Sequence, residues 1–229
     1  GGGDQERVSG GVAMGVVATF FNKSLMRMMK TFHNWHLSLR LGLAALLTIG
    51  IGYLVPEALG AETGAIHYAV AAPDQMGLLF AIFVAKFLLT VFALGLGIPG
   101  GIVGPVFGIG IVMGTILAFM PSLLIGDYST VGTYAVLGMA GMMAATIHAP
   151  LAALVAVTEL AANPELVVPA ILVITASYVT AVQFFNTKSI FMLQLDFLQM
   201  PYRLSPADDV LQKVGVLAML KQDYQVLEN

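Results

Sequence analysis

Long apolar runs separated by short breaks rich in Gly, Pro and polar residues make up most of the chain. Met76 to Leu94 is the clearest run, about 19 residues, which is enough to cross a bilayer. Val8 to Phe21 is apolar and rich in small residues. It continues into a segment where Lys23, Arg27 and Lys30 recur at helical spacing while Leu25, Met26, Met28, Met29 and Phe32 fill the other faces. That pattern predicts one long tilted helix leaving the membrane, its basic stripe solvated beside lipid headgroups and Trp35 an interface anchor. Leu37 to Val55 reads as a second span, interrupted by Gly50 and Gly52 and ended by Pro56. Glu57 to Gln75 reads as a polar surface connection.

Shorter pieces follow. Val103 to Phe119 is expected to stop at Pro121, with a polar turn at Gly126 to Gly132. Tyr134 to Thr146 breaks at Ile147-His148-Ala149-Pro150, and Leu151 to Leu160 breaks at Ala161-Ala162-Asn163-Pro164. Leu166 to Phe185 is a further span. Pieces too short to cross alone, interrupted by Pro and Gly, point to broken helices around a midplane site rather than a simple bundle. After the polar Asn186-Thr187-Lys188-Ser189 comes an amphipathic stretch, Ile190 to Met200. Pro201 to Asn229 is soluble in composition and reads as the beginning of an extramembrane domain.

Composition agrees with the pattern. Hydrophobic residues are 58% and charged residues 10%, with mean hydropathy +0.88, where a soluble domain has about 25% charged residues. The fold class is therefore an all-α membrane protein. A net charge of -3 on so few charges offers no footprint for nucleic acid. With no cysteine, disulfides, thiol catalysis and Cys-based metal sites are excluded. The polar start, without Met and without a signal peptide, fits a fragment or processed chain.

The candidate chemistry centres on Gly95-Leu96-Gly97-Ile98-Pro99-Gly100-Gly101-Ile102-Val103-Gly104-Pro105-Val106-Phe107-Gly108. Five of its first seven residues are Gly or Pro, so it is not ordinary helix. Helical character resumes at Val103, and Pro105 falls where a first turn tolerates proline. A glycine-rich loop feeding a helix N-terminus presents unpaired N–H groups and a partial positive charge, which suits an anion. Irregular backbone in a membrane is tolerated only where protein buries it or where it lines a watery cavity. Simple helix packing is the competing reading, since Gly104/Gly108, Gly110/Gly114 and Gly11/Gly15 all fit a small-residue spacing. Gly95, Gly97 and Gly100 match a dinucleotide fingerprint formally. The preceding run is too long for a strand, and no acidic residue follows at about 20 residues.

Lys86 lies near the middle of its span, where a lysine costs about 2.5–3.5 kcal/mol, so it should face protein or water and bias an anion path. His148 reads as a cap or interface contact rather than a proton carrier. Glu159 reads as satisfying backbone N–H groups at a helix end.

Gly97-Ile98-Pro99-Gly100-Gly101-Ile102-Val103-Gly104-Pro105 resembles the Gly-x-Phe-x-Pro selectivity motif of CLC chloride channels and proton/chloride antiporters. Neighbouring stretches agree in order: Phe83-Val84-Ala85-Lys86 before it, Ala140 to Leu151 after it, then Thr158-Glu159-Leu160 and Asn163-Pro164-Glu165-Leu166. The resemblance runs from about Val8 to about Leu195. It implies the second of two inverted repeats, with short, tilted and broken helices and the anion path between the repeats. The motifs of the first repeat, with its gating and proton-accepting glutamates, are not in this sequence, so the N-terminal half of the same protein would be a partner.

Carried over, the resemblance makes Gly101, Ile102, Val103, Gly104 and Pro105 the anion site, with the N–H groups of Ile102 and Val103 as ligands. Val103 stands where the family has Phe. Phe191 stands where it has a pore tyrosine, so a hydroxyl ligand is lost. The resemblance further implies chloride or a similar anion as cargo, protons as possible co-substrate, no metal or redox cofactor, and a homodimer formed by helices matching Ala149–Leu160 and Leu166–Phe185. It implies a membrane part at 1–195 and a cytosolic tail at 196–229 leading towards CBS domains. The expected location is the inner membrane of a prokaryote with the C-terminus cytoplasmic. Two other classes stay open: a membrane-embedded enzyme using His148 and Glu159, and a structural subunit without transport of its own.

Overall fold

The computed structural model describes residues 2–59, 76–125 and 130–200, with side chains except at 2 and 121–125. Most of the polar connection before Met76, the start of the turn after Ile125, and the tail from Pro201 lie outside the described residues. Gly1–Leu193 forms one compact unit, and the site lies in it.

The described residues are helical, with no strand among them. In order come α1 (Gly2–Phe32), α2 (Leu37–Leu54), α3 (Met76–Gly95), α4 (Val103–Ile125), α5 (Val131–Ile147), α6 (Pro150–Ala161), α7 (Val167–Val179) and α8 (Ile190–Phe197). Among the described residues, four stretches are long and apolar enough to cross a membrane: Leu37–Leu54, Met76–Gly95, Val103–Met120 and Pro164–Phe184. As expected, α1 is one helix of 31 residues. It buries Met14, Ala18, Phe21 and Leu25 along one stripe and exposes Val8, Val12, Val16 and Phe20 along another.

α5 is the hub. It packs against α1, α4, α6 and α7, and every residue from Leu137 to Thr146 is buried. That explains a helix apolar on all sides yet too short to span alone. Small residues set the closest approaches. A Cβ on Gly110 would lie 2.7 Å from the Gly138 carbonyl oxygen, and one on Gly11 would lie 2.7 Å from the Ala176 Cβ. The Gly110/Gly114 and Gly11/Gly15 pairs are thus packing glycines, joining α4 to α5 and α1 to α7.

The breaks behave individually. Pro121 does not end α4, which runs on to Ile125: proline's fixed φ is helical, and a single lost bond near a helix end is tolerated. His148 closes α5 in a left-handed backbone, φ 60°, with its ring edge-on to Tyr178 at 5.3 Å. This is the capping role expected of it, and Pro150 then starts α6. At the next break Glu159 is exposed. Asn163 supplies the cap instead, its Oδ1 accepting the Glu165 N–H at 3.0 Å. Asn outperforms Glu here because its short side chain reaches its neighbour's N–H. The expected span Leu166 to Phe185 is not uniform: a 3-10 turn (Pro164–Leu166) leads into α7, and a π-turn (Thr180–Phe184) ends it, the Phe185 N–H donating to the Thr180 carbonyl at 3.3 Å.

Candidate functional site

The glycine-rich loop begins as a helix terminator. The Gly97 N–H donates to the Leu94 carbonyl at 3.1 Å and the Ile98 N–H to the Ala93 carbonyl at 3.0 Å, while Gly97 takes φ +88°. This paired 5→2 and 6→1 closure needs a residue that tolerates left-handed backbone, and glycine does so without strain. Pro99, two residues on, cannot resume the helix.

α4 starts four residues after Pro99, at Val103. The Val106 N–H donates to the Ile102 carbonyl at 3.1 Å, which makes Ile102 the N-cap residue and Pro105 the third helical position. Helix geometry gives the N–H groups of Ile102, Val103 and Gly104 no intrahelical acceptor. Ile102 has no side-chain oxygen to cap them. The positive end of α4 is therefore presented by backbone alone. Ile102 is 6% exposed and Val103 40%.

Beside this helix end lies an open groove of about 330 Å³, walled by Lys86 and Thr90 of α3, Thr48 of α2, Gly100 and Gly101 of the loop, and Pro105 of α4. Lys86 and the glycine loop, 14 positions apart at Gly100, thus share one cavity. The loop glycines differ from those in the helix crossings. A Cβ on Gly100, Gly101 or Gly104 would meet nothing within 4 Å. Packing within this chain does not require them, so the sequence's two readings of glycine separate by position.

The family model for the voltage gated chloride channel matches residues 8–182. The chain belongs to that family. Among curated relatives, the H(+)/Cl(-) exchange transporter ClcA of Salmonella agona (strain SL483) is 32% identical over 188 residues, 79% of this chain and 40% of the relative. The same-named protein of Salmonella paratyphi B is 31% identical over the same shares. Of solved structures, a slow cyanobacterial Cl-/H+ antiporter superimposes with TM-score 0.74 at 26% identity, covering 85% of this chain and 47% of that one. A eukaryotic CLC transporter superimposes with TM-score 0.67 at 19% identity, covering 84% and 34%, a likeness of fold. The chain spans less than half the length of these relatives. It is an integral membrane protein with the all-α CLC fold.

Not every residue singled out within this CLC chain meets at the groove. Ile102, Val103, Gly104 and Phe191 are not among its described walls. Phe191 is 45% exposed on the first turn of α8. The segment before it is fixed by three buried or part-buried polar contacts: Asn22 Nδ2 donates to the Lys188 carbonyl at 3.3 Å, the Thr187 hydroxyl to Thr19 Oγ1 at 3.3 Å, and the Ser189 hydroxyl to the Ile147 carbonyl at 2.7 Å. Asn22 Nδ2 also lies 3.2 Å from the Thr146 carbonyl, tying α1 to the end of α5. Two residues escaped the sequence reading. Asn22 is fully buried, and its signal was an amide on the apolar stripe of α1. Arg40 donates from Nε to the Leu96 carbonyl at 2.8 Å. Its signal was a cation in the first turn of a helix, where the dipole disfavours one.

Proposed function

We propose that the chain supplies one half of an anion pathway, moving chloride or a similar anion as a channel or as a proton/chloride antiporter. One observation carries the reading. Glycines that no internal contact demands lie at an uncapped helix N-terminus and share a groove with a mid-span lysine. Backbone N–H groups and a helix dipole replace hydration water around an anion without a compensating cation. Lys86 raises the local anion concentration. Gly101, Ile102, Val103, Gly104 and Pro105 form the ligating turn, the N–H groups of Ile102 and Val103 being the ligands. Phe191 lies on the intracellular side of the same path and narrows it without a hydroxyl contact.

A first repeat of the same protein closes the groove, and two such subunits form a homodimer in a prokaryotic inner membrane with the C-terminus cytoplasmic. Residues 1–195 form the membrane part, and 196–229 lead into a cytosolic domain. The protein is a transporter and not an enzyme, and it works without metal or redox cofactor. The lost hydroxyl at Phe191 favours looser coupling, and hence the channel or uncoupled carrier over the tight antiporter.

Reversal potential of the full-length protein in liposomes under crossed chloride and proton gradients tests this. Dependence on both gradients supports exchange, and dependence on chloride alone supports a channel. An absence of anion flux, with nitrate and fluoride also tried, removes the transport reading and leaves a structural subunit.

A further inference from the structure

We propose that Arg40 is a positioning residue for the anion-binding loop, a proposal that rests on the anion-pathway reading above. Its guanidinium neutralises the C-terminal end of α3, so that the N-terminal end of α4 sets the potential in the groove.

Arg40 sits in the first turn of α2, with its charge against its own helix dipole. It reaches α3 instead. The last carbonyls of a helix have no intrahelical partner. At α3 the loop's own N–H groups serve Ala93 and Leu94, and Arg40 Nε serves Leu96 at 2.8 Å. The guanidinium also fills the space into which a Cβ on Gly97 would project. Gly97 is therefore required twice, by its φ of +88° and by the arginine packed on it.

The electrostatic consequence follows from adjacency. Only five residues separate Leu96, at the end of α3, from Ile102, at the start of α4. A helix C-terminus carries about half a negative charge and an N-terminus about half a positive one. Left alone, the end of α3 would offset the end of α4 and repel an anion in the groove. The positive charge of the Arg40 guanidinium, held at the Leu96 carbonyl, cancels it. Arg40 is not among the groove's described walls, so it acts through the loop and not by touching the anion.

The test uses the full-length protein in liposomes, reading the dependence of flux on chloride concentration and the chloride/nitrate reversal potential. Arg40→Ala is expected to raise the half-saturating chloride concentration about five- to tenfold, the range a partly buried dipole interaction supplies, with a smaller change in maximal rate. Arg40→Lys, which keeps the charge, is expected to recover most of that shift. A purely structural role would change the yield of folded protein and leave half-saturation alone.

Gly97→Ala pushes the guanidinium away without removing it, and its effect is expected to be smaller in the Arg40→Ala background than alone. If Arg40→Ala does not fold, Arg40→Lys and Gly97→Ala carry the test: raised half-saturation in Gly97→Ala with near-normal Arg40→Lys supports it. Unchanged half-saturation in Arg40→Ala, or Arg40→Lys as impaired as Arg40→Ala, overturns the assignment of Arg40 while transport stands. An inactive parent protein overturns the transport reading and this proposal with it.

Discussion

A single methyl group should be intolerable at Gly138 and harmless to stability at Gly101. A Cβ on Gly138 would collide with the Gly110 carbonyl oxygen and lie 2.8 Å from the Gly114 Cα. Carbon atoms settle at about 3.5–4.0 Å, so α4 and α5 would have to part by roughly 0.7 Å or more along that line. The opposing atoms are backbone, so no rotamer change relieves the strain. Overpacking of this kind costs about 1–3 kcal/mol, and the rigid partner places Gly138→Ala at about 3. Alanine's helix preference over glycine returns about 1 kcal/mol, leaving a net loss of about 2 kcal/mol. At Gly101 the added Cβ meets nothing within 4 Å. Stability should stay within about 0.5 kcal/mol, while the methyl enters the groove that Lys86 lines and lowers anion flux. Reversible unfolding of the full-length protein in mixed detergent micelles measures the first quantity and chloride flux per folded molecule the second. Gly101→Ala destabilising as strongly as Gly138→Ala, with flux per folded molecule preserved, would refute the division between packing glycines and path glycines.

Three further outcomes are expected. Lys86→Gln should lower chloride flux several-fold, most at low ionic strength where its field is least screened, and Lys86→Arg should retain it; a flux-versus-salt series decides. Asn22→Ala removes the buried donor serving Thr146 and Lys188 and should cost about 2–3 kcal/mol in the same unfolding measurement, since neither carbonyl gains a replacement. Phe191→Tyr restores a hydroxyl to an exposed ring and should lower the half-saturating chloride concentration without changing stability; an unchanged chloride titration would place Phe191 outside the path.

The sequence disclosed the spans and the loop because both follow from local rules. Met76–Gly95 is apolar but for Lys86 and Thr90, and the density of Gly and Pro before Val103 excludes continuous helix. It also placed the break around His148, although Pro150, read as part of that break, is the first residue of α6. What it could not disclose were properties fixed by packing between distant segments. Gly104 and Gly110 both lie in α4 at small-residue spacing; only the arrival of α5 against Gly110 makes one a contact and leaves the other open. Pro121 looked like a stop because proline removes a bond, yet near the end of α4 one lost bond did not end the helix. Glu159 seemed the natural cap before Asn163-Pro164, but reach and not charge decides a cap, and Asn163 had the reach. Arg40 and Asn22 act on residues 56 and 124 or more positions away, beyond any periodicity.

The loop also constrains what must lie across from it. Gly100 and Gly101 are exposed within this chain, and the backbone from Pro99 to Ile102 makes neither helix nor sheet. Hydrocarbon cannot satisfy such backbone, because each unpaired N–H or carbonyl facing lipid costs several kcal/mol. The same holds for a lysine on the groove wall. The exposed valines and Phe20 on α1 carry no such demand, since apolar side chains are as content against lipid as against protein. The two kinds of exposed surface therefore call for different neighbours: lipid or protein over α1, but water and protein over the loop. The first repeat proposed to face this one would meet the stricter demand. The aqueous gap that such a neighbour would leave at the end of α4 is where the proposed path needs its anion, beside the N–H groups of Ile102 and Val103 and in the field we assign to Lys86 and Arg40.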